Sequence, residues 1–99
     1  MKIVWLQLAQ RDLRSISAYY ESAASKELAD RLMQRIVHCA SRLIENPYIG
    51  GPSESIDGVH EIQVPRLPYL IPYRVVADRV EILRVFHESQ DRPSSWQAK

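Results

Sequence analysis

The hydrophobic pattern of the chain changes its period once near the N-terminus. Residues 3–6 are all apolar, which predicts a β-strand over residues 2–6 with two faces that both need cover. From residue 9 the apolar positions step by four, three and four, and this spacing predicts a helix with a single apolar stripe. The stripe consists of Ala9, Leu13, Ile16 and Tyr20.

A second helix is predicted after a break at residues 22–25. Ser25 suits the N-cap position, and Glu27 places a negative charge in the first turn, where the helix dipole favours it. The helical spacing continues to Asn46, because the residue before Pro47 is biased away from the helical conformation. Two helices joined by so short a break predict an antiparallel hairpin. The second apolar stripe consists of Leu28, Leu32, Ile36, Cys39 or Ala40, and Leu43.

The remainder of the chain carries the signals of a connecting loop and then of strands. Residues 47–58 contain two prolines and three glycines, which is the composition of a loop. Three strands joined by short turns follow, with a tight turn predicted at Asp78-Arg79, and they form an antiparallel meander. Pro72 lies in the middle strand and predicts a bulge or an unpaired edge there. The three predicted strands span residues 59–64, 69–76 and 80–87.

The order β-α-α-β-β-β predicts an α+β fold. We expect an N-terminal strand, an antiparallel helical hairpin packed on one face of an antiparallel β-sheet, and a C-terminal three-stranded meander that completes the sheet. Trp5 and the last strand carry more apolar surface than one hairpin can cover, which indicates a partner on the second face. The apolar residues of the last strand are Ile82, Leu83, Val85 and Phe86.

Length and composition predict one domain over residues 1–99, with a polar tail from about residue 88. The apolar run at residues 3–6 is too short for a signal peptide or a membrane span, so we expect a cytoplasmic protein without a membrane partner. Cys39 is the single cysteine, which excludes an intramolecular disulfide and predicts a small buried hydrophobic residue. No metal site and no cofactor are expected.

Charge is balanced along the chain. The formal net charge is +1, with seven basic and seven acidic residues up to Gly58 and six basic and five acidic residues after it. Affinity for nucleic acid grows with the number of phosphates that Lys and Arg neutralise. We therefore expect no direct sequence-specific binding of nucleic acid, unless the arginines are concentrated locally.

Candidate chemistry is confined to the C-terminal strands, since the chain has no phosphate-binding glycine loop, HExxH, CxxC or nucleophile elbow. Arg74, Arg84 and His87 could supply the cations and the acid or base of a metal-free ribonuclease. The favoured interpretation is structural: the two arginines pair with Asp78 or Glu81, and His87 ends the last strand.

Aromatic residues have a similar pair of interpretations. Tyr19, Tyr20, Tyr69 and Tyr73 could stack on bases, but tyrosines at these spacings are more often packed in a core or on a sheet face. Trp96 lies in the polar tail, where an aromatic side chain is equally consistent with an anchor on the domain and with a contact to a partner.

Several motifs, in their order and spacing, resemble the ParE/RelE toxins of type II toxin–antitoxin systems over nearly the whole chain. An Ala-x-x-Asp-Leu-x-x-Ile helix start is followed by Leu-x-x-x-Pro, Gly-x-x-Glu, Pro-Tyr-x-x-x-Tyr-Arg-Val and Ile-Leu-x-Val-x-His segments, and a proline follows in the tail. The matching segments are Ala9 to Ile16, Leu43 to Pro47, Gly58 to Glu61, Pro68 to Val75 and Ile82 to His87, with Pro93 in the tail.

The resemblance is nearer to the ParE branch than to the RelE branch. RelE-like members imply ribosome-dependent mRNA cleavage, whereas ParE-like members imply inhibition of DNA gyrase without chemistry of their own. Leu70 stands where many members carry an arginine after Pro-Tyr, and the chain has three lysines in total, whereas RelE-like nucleases have a lysine-rich strand surface. The alternatives are a ribosome-dependent endoribonuclease with Arg74, Arg84 and His87 in its site, and a member that has lost its toxicity.

The resemblance also implies a cognate antitoxin, ParD-like or similar, whose C-terminal segment wraps the toxin and covers the second sheet face. For the target, gyrase, we expect contacts from the C-terminal strand and tail. The residues expected to contact the antitoxin are Trp5, Tyr19, Leu70 and Phe86. The residues expected to contact the target are Arg84, His87, Gln90, Arg92 and Trp96.

Overall fold

A hairpin of two helices lies on one face of a β-sheet. The computed structural model describes residues 1–54 and 56–89, and within these residues it has two α-helices and six strands. Helix α1 spans Gln7–Ala23, and α2 spans Lys26–Ser41 and continues as a 3-10 turn over Arg42–Ile44. The strands are β1, Lys2–Trp5; β2, Gly51–Pro52; β3, His60–Gln63; β4, Tyr69–Val76; β5, Arg79–Ile82; and β6, Phe86–His87.

The sheet confirms the predicted α+β fold and adds two details. Its strand order is β1-β5-β4-β3-β2, with β6 also paired to β4. The meander of β3, β4 and β5 is antiparallel as expected, but β1 joins the edge of the sheet parallel to β5, so the sheet is mixed. The predicted connecting loop contains the short strand β2, which pairs antiparallel with β3 and which its Gly-Pro sequence did not indicate.

Both predicted apolar stripes pack against the same face of the sheet. Ser25 caps α2 as expected, since its hydroxyl oxygen accepts a hydrogen bond from the Leu28 N–H at 3.1 Å. Cys39 is buried in this core, which confirms the predicted hydrophobic role. Tyr69 and Tyr73 are buried in it as well, so their core interpretation is confirmed. The central core residues include Ala9, Ile36, Ala40, Leu43, Ile71, Val80 and Ile82.

The strand predicted over residues 80–87 is divided by a bulge opposite Pro72. Tyr73 pairs with Ile82 and Leu70 pairs with Phe86, so two residues of β4 face three residues between β5 and β6. The Pro72 carbonyl accepts a hydrogen bond from the Leu83 N–H at 2.9 Å. The side of Pro72 on which a proline has no N–H to donate therefore faces this segment. The disturbance predicted in the middle strand is therefore found in its neighbour, because β4 itself runs unbroken from Tyr69 to Val76.

The second face of the sheet is partly covered by the chain itself. Leu83 and Phe86 are buried in a small cluster with Val59, and Leu6 and Ile56 pack against it. The expectation that the last strand leaves uncovered apolar surface is therefore wrong, because its other two apolar residues lie in the main core. The physical reason is that the segment between β2 and β3, which composition identified only as a loop, folds back over this face.

Candidate functional site

An ion pair between Arg84 and Asp12 connects the bulge to helix α1. Its Nε and Nη2 donate to the two carboxylate oxygens of Asp12 at 2.7 and 3.0 Å, and the Val85 N–H donates to the same carboxylate at 2.9 Å. The hydrogen bond with Asp12 raises the pKa of the Arg84 guanidinium, which also lies 4.4 Å from the centroid of the Phe86 ring. Arg84 thus pairs with Asp12 rather than with the predicted Asp78 or Glu81, because the bulge turns it toward α1.

Arg74 has one of its predicted partners. Its Nε donates to Glu81 Oε1 at 2.6 Å, and Arg79 Nε donates to Glu81 Oε2 at 3.0 Å. Glu81 is buried, with 7% of its surface exposed, and the hydrogen bond from Arg74 lowers the pKa of its carboxyl below the ordinary value of 4.5. This carboxylate is therefore charged in the folded protein and joins β4 to β5.

The Glu81 network predicts part of the acid sensitivity of the fold. A carboxyl whose pKa is lower in the folded than in the unfolded state stabilises the fold above its unfolded pKa, and this contribution is lost as pH falls through the folded pKa. As the pH falls below 4.5, the free energy of unfolding should therefore decrease by about 1 kcal/mol less in Glu81→Gln than in the unchanged protein. The expected difference is small because both arginines are partly exposed.

Urea titrations at a series of pH values measure this effect. The matched control is Glu45→Gln, which removes an exposed carboxyl and should leave the acid decline as in the unchanged protein. An acid decline that is equally steep in Glu81→Gln and in the control would contradict the assignment.

His87 lies at the end of a cleft between α1 and the sheet. Its ring meets the Tyr69 ring edge to face, with centroids 5.5 Å apart, and its Nδ1 accepts a hydrogen bond from the Ser89 N–H at 3.1 Å. On the floor of the cleft the hydroxyl of Tyr69 donates to that of Tyr20 at 3.4 Å. We call this space, about 390 Å³, the tyrosine cleft; its lining residues are Ser15, Ile16, Tyr19, Tyr20, Tyr69 and His87.

The tyrosine cleft combines tyrosine hydroxyls with the imidazole ring of His87. Burial raises the pKa of the Tyr69 hydroxyl, and the hydrogen bond to Tyr20 raises it further, so the Tyr69 hydroxyl remains neutral at physiological pH. Because Nδ1 of His87 accepts from a backbone N–H, a neutral ring carries its proton at Nε2. Tyr19, with 64% of its surface exposed, stands at the rim.

Of the three residues of the nuclease alternative, His87 lines the tyrosine cleft, whereas Arg74 and Arg84 are not among its described lining residues. Arg74 lies five residues along β4 from Tyr69, about 17 Å in an extended strand, and an odd separation places it on the opposite face of the sheet. Arg84 is bound to Asp12. Among the described residues that line the tyrosine cleft there is no lysine or arginine, so the cation that RNA cleavage needs beside His87 is not supplied by them.

The residues predicted to contact the antitoxin lie in different surroundings. Trp5 is half-buried against the main core, and Leu70 and Phe86 are cross-strand neighbours on the other face of the sheet. Phe86 is buried, whereas Leu70 is partly accessible. The structure thus brings the predicted antitoxin residue Tyr19 and the predicted target residue His87 to one cleft. Gln90, Arg92 and Trp96 lie outside the described residues.

Sequence reasoning missed Asp12 and the pairing of Tyr20 with Tyr69. Asp12 appears in the motif at the start of α1, but no local signal connects it with a residue 72 positions away. The described residues hold no group of three or more His, Cys, Asp or Glu side chains that could bind a metal ion. None of the described helices is both long and apolar enough to cross a bilayer.

Comparison with known families identifies the class of protein. Residues 3–92 match the family described as the ParE toxin of the type II toxin–antitoxin system, parDE. Since the match spans nearly the whole chain and agrees with the fold, the protein belongs to the ParE toxin family. Membership of a two-component toxin–antitoxin family implies a protein antitoxin as its partner.

Individual relatives agree with this family. The chain is 38% identical over 92 residues to a Sinorhizobium fredii protein named "Putative toxin Y4kP", and the match covers 93% of each chain. The structure of the present chain is similar to that of a chain of the chromosomal ParDE toxin–antitoxin system from P. aeruginosa, with a TM-score of 0.79 and 31% sequence identity. The match covers 88% of this chain and 95% of that one.

Proposed function

We propose that this toxin inhibits DNA gyrase, and so blocks replication, and that its cognate antitoxin neutralises it. The observation that favours gyrase over RNA as the target is the pairing of the two candidate arginines with carboxylates. Arg74 and Arg84, the cations that the nuclease alternative requires, are each bound to a carboxylate, and neither is among the described residues that line the cleft of His87. Because the described residues assemble no phosphate site around His87, they support action by binding better than cleavage of RNA.

The proposed contact with gyrase combines the tyrosine cleft and the tail. His87 lies where β6 ends, so the tail residues Gln90, Arg92 and Trp96 follow it directly in the sequence. Arg84 acts as a positioning residue in this proposal, because its bond to Asp12 fixes the segment that leads into β6. For the antitoxin, Tyr19 and Leu70 present accessible surface, while Trp5 and Phe86 support the surface beneath.

A supercoiling assay with purified gyrase, run beside an in vitro translation reaction, tests the target. We expect loss of supercoiling activity while translation and the mRNA remain intact. Cleaved mRNA together with normal supercoiling would reject the proposal in favour of the ribosome-dependent endoribonuclease. If neither reaction is affected, the chain is a member without toxicity.

A truncated protein that ends at Ser89 tests the role of the tail. We expect it to lose inhibition of supercoiling while it still binds the antitoxin, because it keeps all the described residues of the core and of the tyrosine cleft. Inhibition by the truncated protein at the concentration that suffices for the full chain would contradict the role of Gln90, Arg92 and Trp96. His87→Ala separates the contribution of the cleft from that of the tail.

A further inference from the structure

Aromatic rings form most of the wall of the tyrosine cleft. Four of the six described residues that line it carry such rings, namely Tyr19, Tyr20, Tyr69 and His87. Tyr19 meets Tyr20 edge to face, at an interplanar angle of 89°, and Tyr69 meets His87 in the same way at 86°. In an edge-to-face pair each ring keeps at least one face that its partner does not cover. Uncovered ring faces are therefore available, above all on the exposed Tyr19.

The charge of the tyrosine cleft complements a cation. No Asp, Glu, Lys or Arg is among the described residues that line it, so these residues supply no lysine or arginine that would repel a positive ligand. The face of an aromatic ring carries partial negative charge and attracts a cation placed over it. The hydroxyl oxygens of Ser15 and of the three tyrosines add hydrogen-bond acceptors. Ring faces and hydroxyl oxygens together favour a positively charged ligand that carries N–H donors.

We propose that the tyrosine cleft binds an arginine side chain on the surface of gyrase. The planar guanidinium group stacks on aromatic faces, and its five N–H donors can reach the hydroxyl oxygens. The cleft volume of about 390 Å³ is ample for this group, since one water molecule occupies roughly 30 Å³ of liquid. The inference rests on the proposed inhibition of gyrase, and it adds the chemistry that the cleft recognises.

The target offers side chains of this kind. An enzyme that acts on DNA has to present arginine and lysine to the phosphates, so its DNA-binding surface is rich in both. An arginine that is held in the tyrosine cleft is withdrawn from the DNA. Binding at the cleft therefore gives a physical route to the loss of supercoiling.

Two small probes test the chemistry of the cleft without gyrase. N-acetyl-arginine amide carries the guanidinium, and N-acetyl-citrulline amide replaces it by a neutral urea group of nearly the same shape. In NMR titrations of the full chain, followed at the ring protons of Tyr19 and His87, we expect the arginine probe to bind about 5-fold to about 30-fold more tightly. Equal affinities, or ring signals that do not shift, would overturn the inference.

Substitution of Tyr19 tests the same contact with gyrase. Tyr19→Leu removes a ring that is 64% exposed, and its control Tyr48→Leu removes a ring that is 63% exposed and lies outside the described lining of the cleft. In the supercoiling assay, we expect half-inhibition to need about 10-fold more of Tyr19→Leu, and an amount of the control within about twofold of the unchanged toxin. Tyr19→Phe keeps the ring face and should lose about threefold. Equal potency of Tyr19→Leu and the control would overturn the inference.

The failure of the inference and the failure of the proposed function give different results. If the unchanged toxin does not inhibit gyrase, the proposed function is rejected, and the assignment of the arginine to gyrase is rejected with it, whatever the probes show. If the toxin inhibits gyrase but Tyr19→Leu loses affinity only for purified antitoxin, the cleft belongs to the antitoxin and the inference is overturned. A preference for the arginine probe together with a weaker Tyr19→Leu supports it.

Discussion

Gly50→Ala is expected to destabilise the fold by about 3 kcal/mol or more, a large part of the roughly 5–15 kcal/mol that stabilises a domain. A Cβ at this position would lie 2.6 Å from the Glu61 carbonyl oxygen, 2.7 Å from Ile62 Cγ2 and 2.7 Å from the Tyr73 hydroxyl. Two of these neighbours cannot move without shifting β3 or the core. The Gly50 N–H also donates to the Tyr73 hydroxyl at 3.0 Å, and this bond would be strained.

Gly51→Ala is the matched control for Gly50→Ala. The two glycines are adjacent, but a Cβ on Gly51 would have no atom within 4 Å. We expect its free energy of unfolding in urea to stay within about 1 kcal/mol of the unchanged protein, since alanine also reduces the entropy of the unfolded chain. Similar losses in both variants would show that the close approach at Gly50 is not what requires glycine.

Asp12→Ala is expected to lower the free energy of unfolding by about 2–3 kcal/mol. The substitution leaves the Arg84 guanidinium without its counter-ion and the Val85 N–H without its acceptor. Both side chains are well covered, with 27% of Arg84 and 16% of Asp12 exposed, so water compensates only in part. Equilibrium unfolding in urea measures the loss.

Two comparisons separate the contribution of the Asp12–Arg84 ion pair from general effects of substitution in α1. Glu21→Ala removes an exposed carboxylate from the same helix and should change stability by less than about 0.5 kcal/mol. A double-mutant cycle with Arg84→Ala should give a coupling energy of about 1–2 kcal/mol. A coupling near zero would mean that the contact contributes no stability in solution.

Patterns that repeat within one element were sufficient to predict both helices and the longer strands, but not the short strand β2 or the division of the last predicted strand. The stripes of α1 and α2, the Ser25 cap and the limits of β4 all follow from neighbours a few residues apart. Pro72 predicted a local disturbance because its missing N–H is a property of that residue alone. Such local signals gave the fold class and the buried face of each helix.

Contacts between distant segments could not be predicted from these patterns. The pairing of Asp12 with Arg84 depends on the direction in which the bulge turns Arg84, and that direction depends on the register between β4 and its neighbour. The turn before β5 illustrates the same limit at short range. It is formed by Ala77, with a φ of 54°, and Asp78, whereas turn composition had indicated Asp78-Arg79.

The candidate site was predicted only in its individual residues. His87 and Tyr19 were identified separately, and their meeting in the tyrosine cleft depends on how α1 crosses the sheet. What the sequence could not indicate is which carboxylate of the chain each arginine of β4, of β5 and of the bulge would pair with.

The parallel pairing of β1 with β5 affects how the chain can fold as it is synthesised. Lys2 pairs with Arg79 and Trp5 with Ile82, so the first strand has no partner until most of the chain has been translated. Pairings between such distant segments slow folding, because a long loop must close before the contact forms. The nascent polypeptide therefore cannot complete its sheet while the ribosome still holds β5 in its exit tunnel.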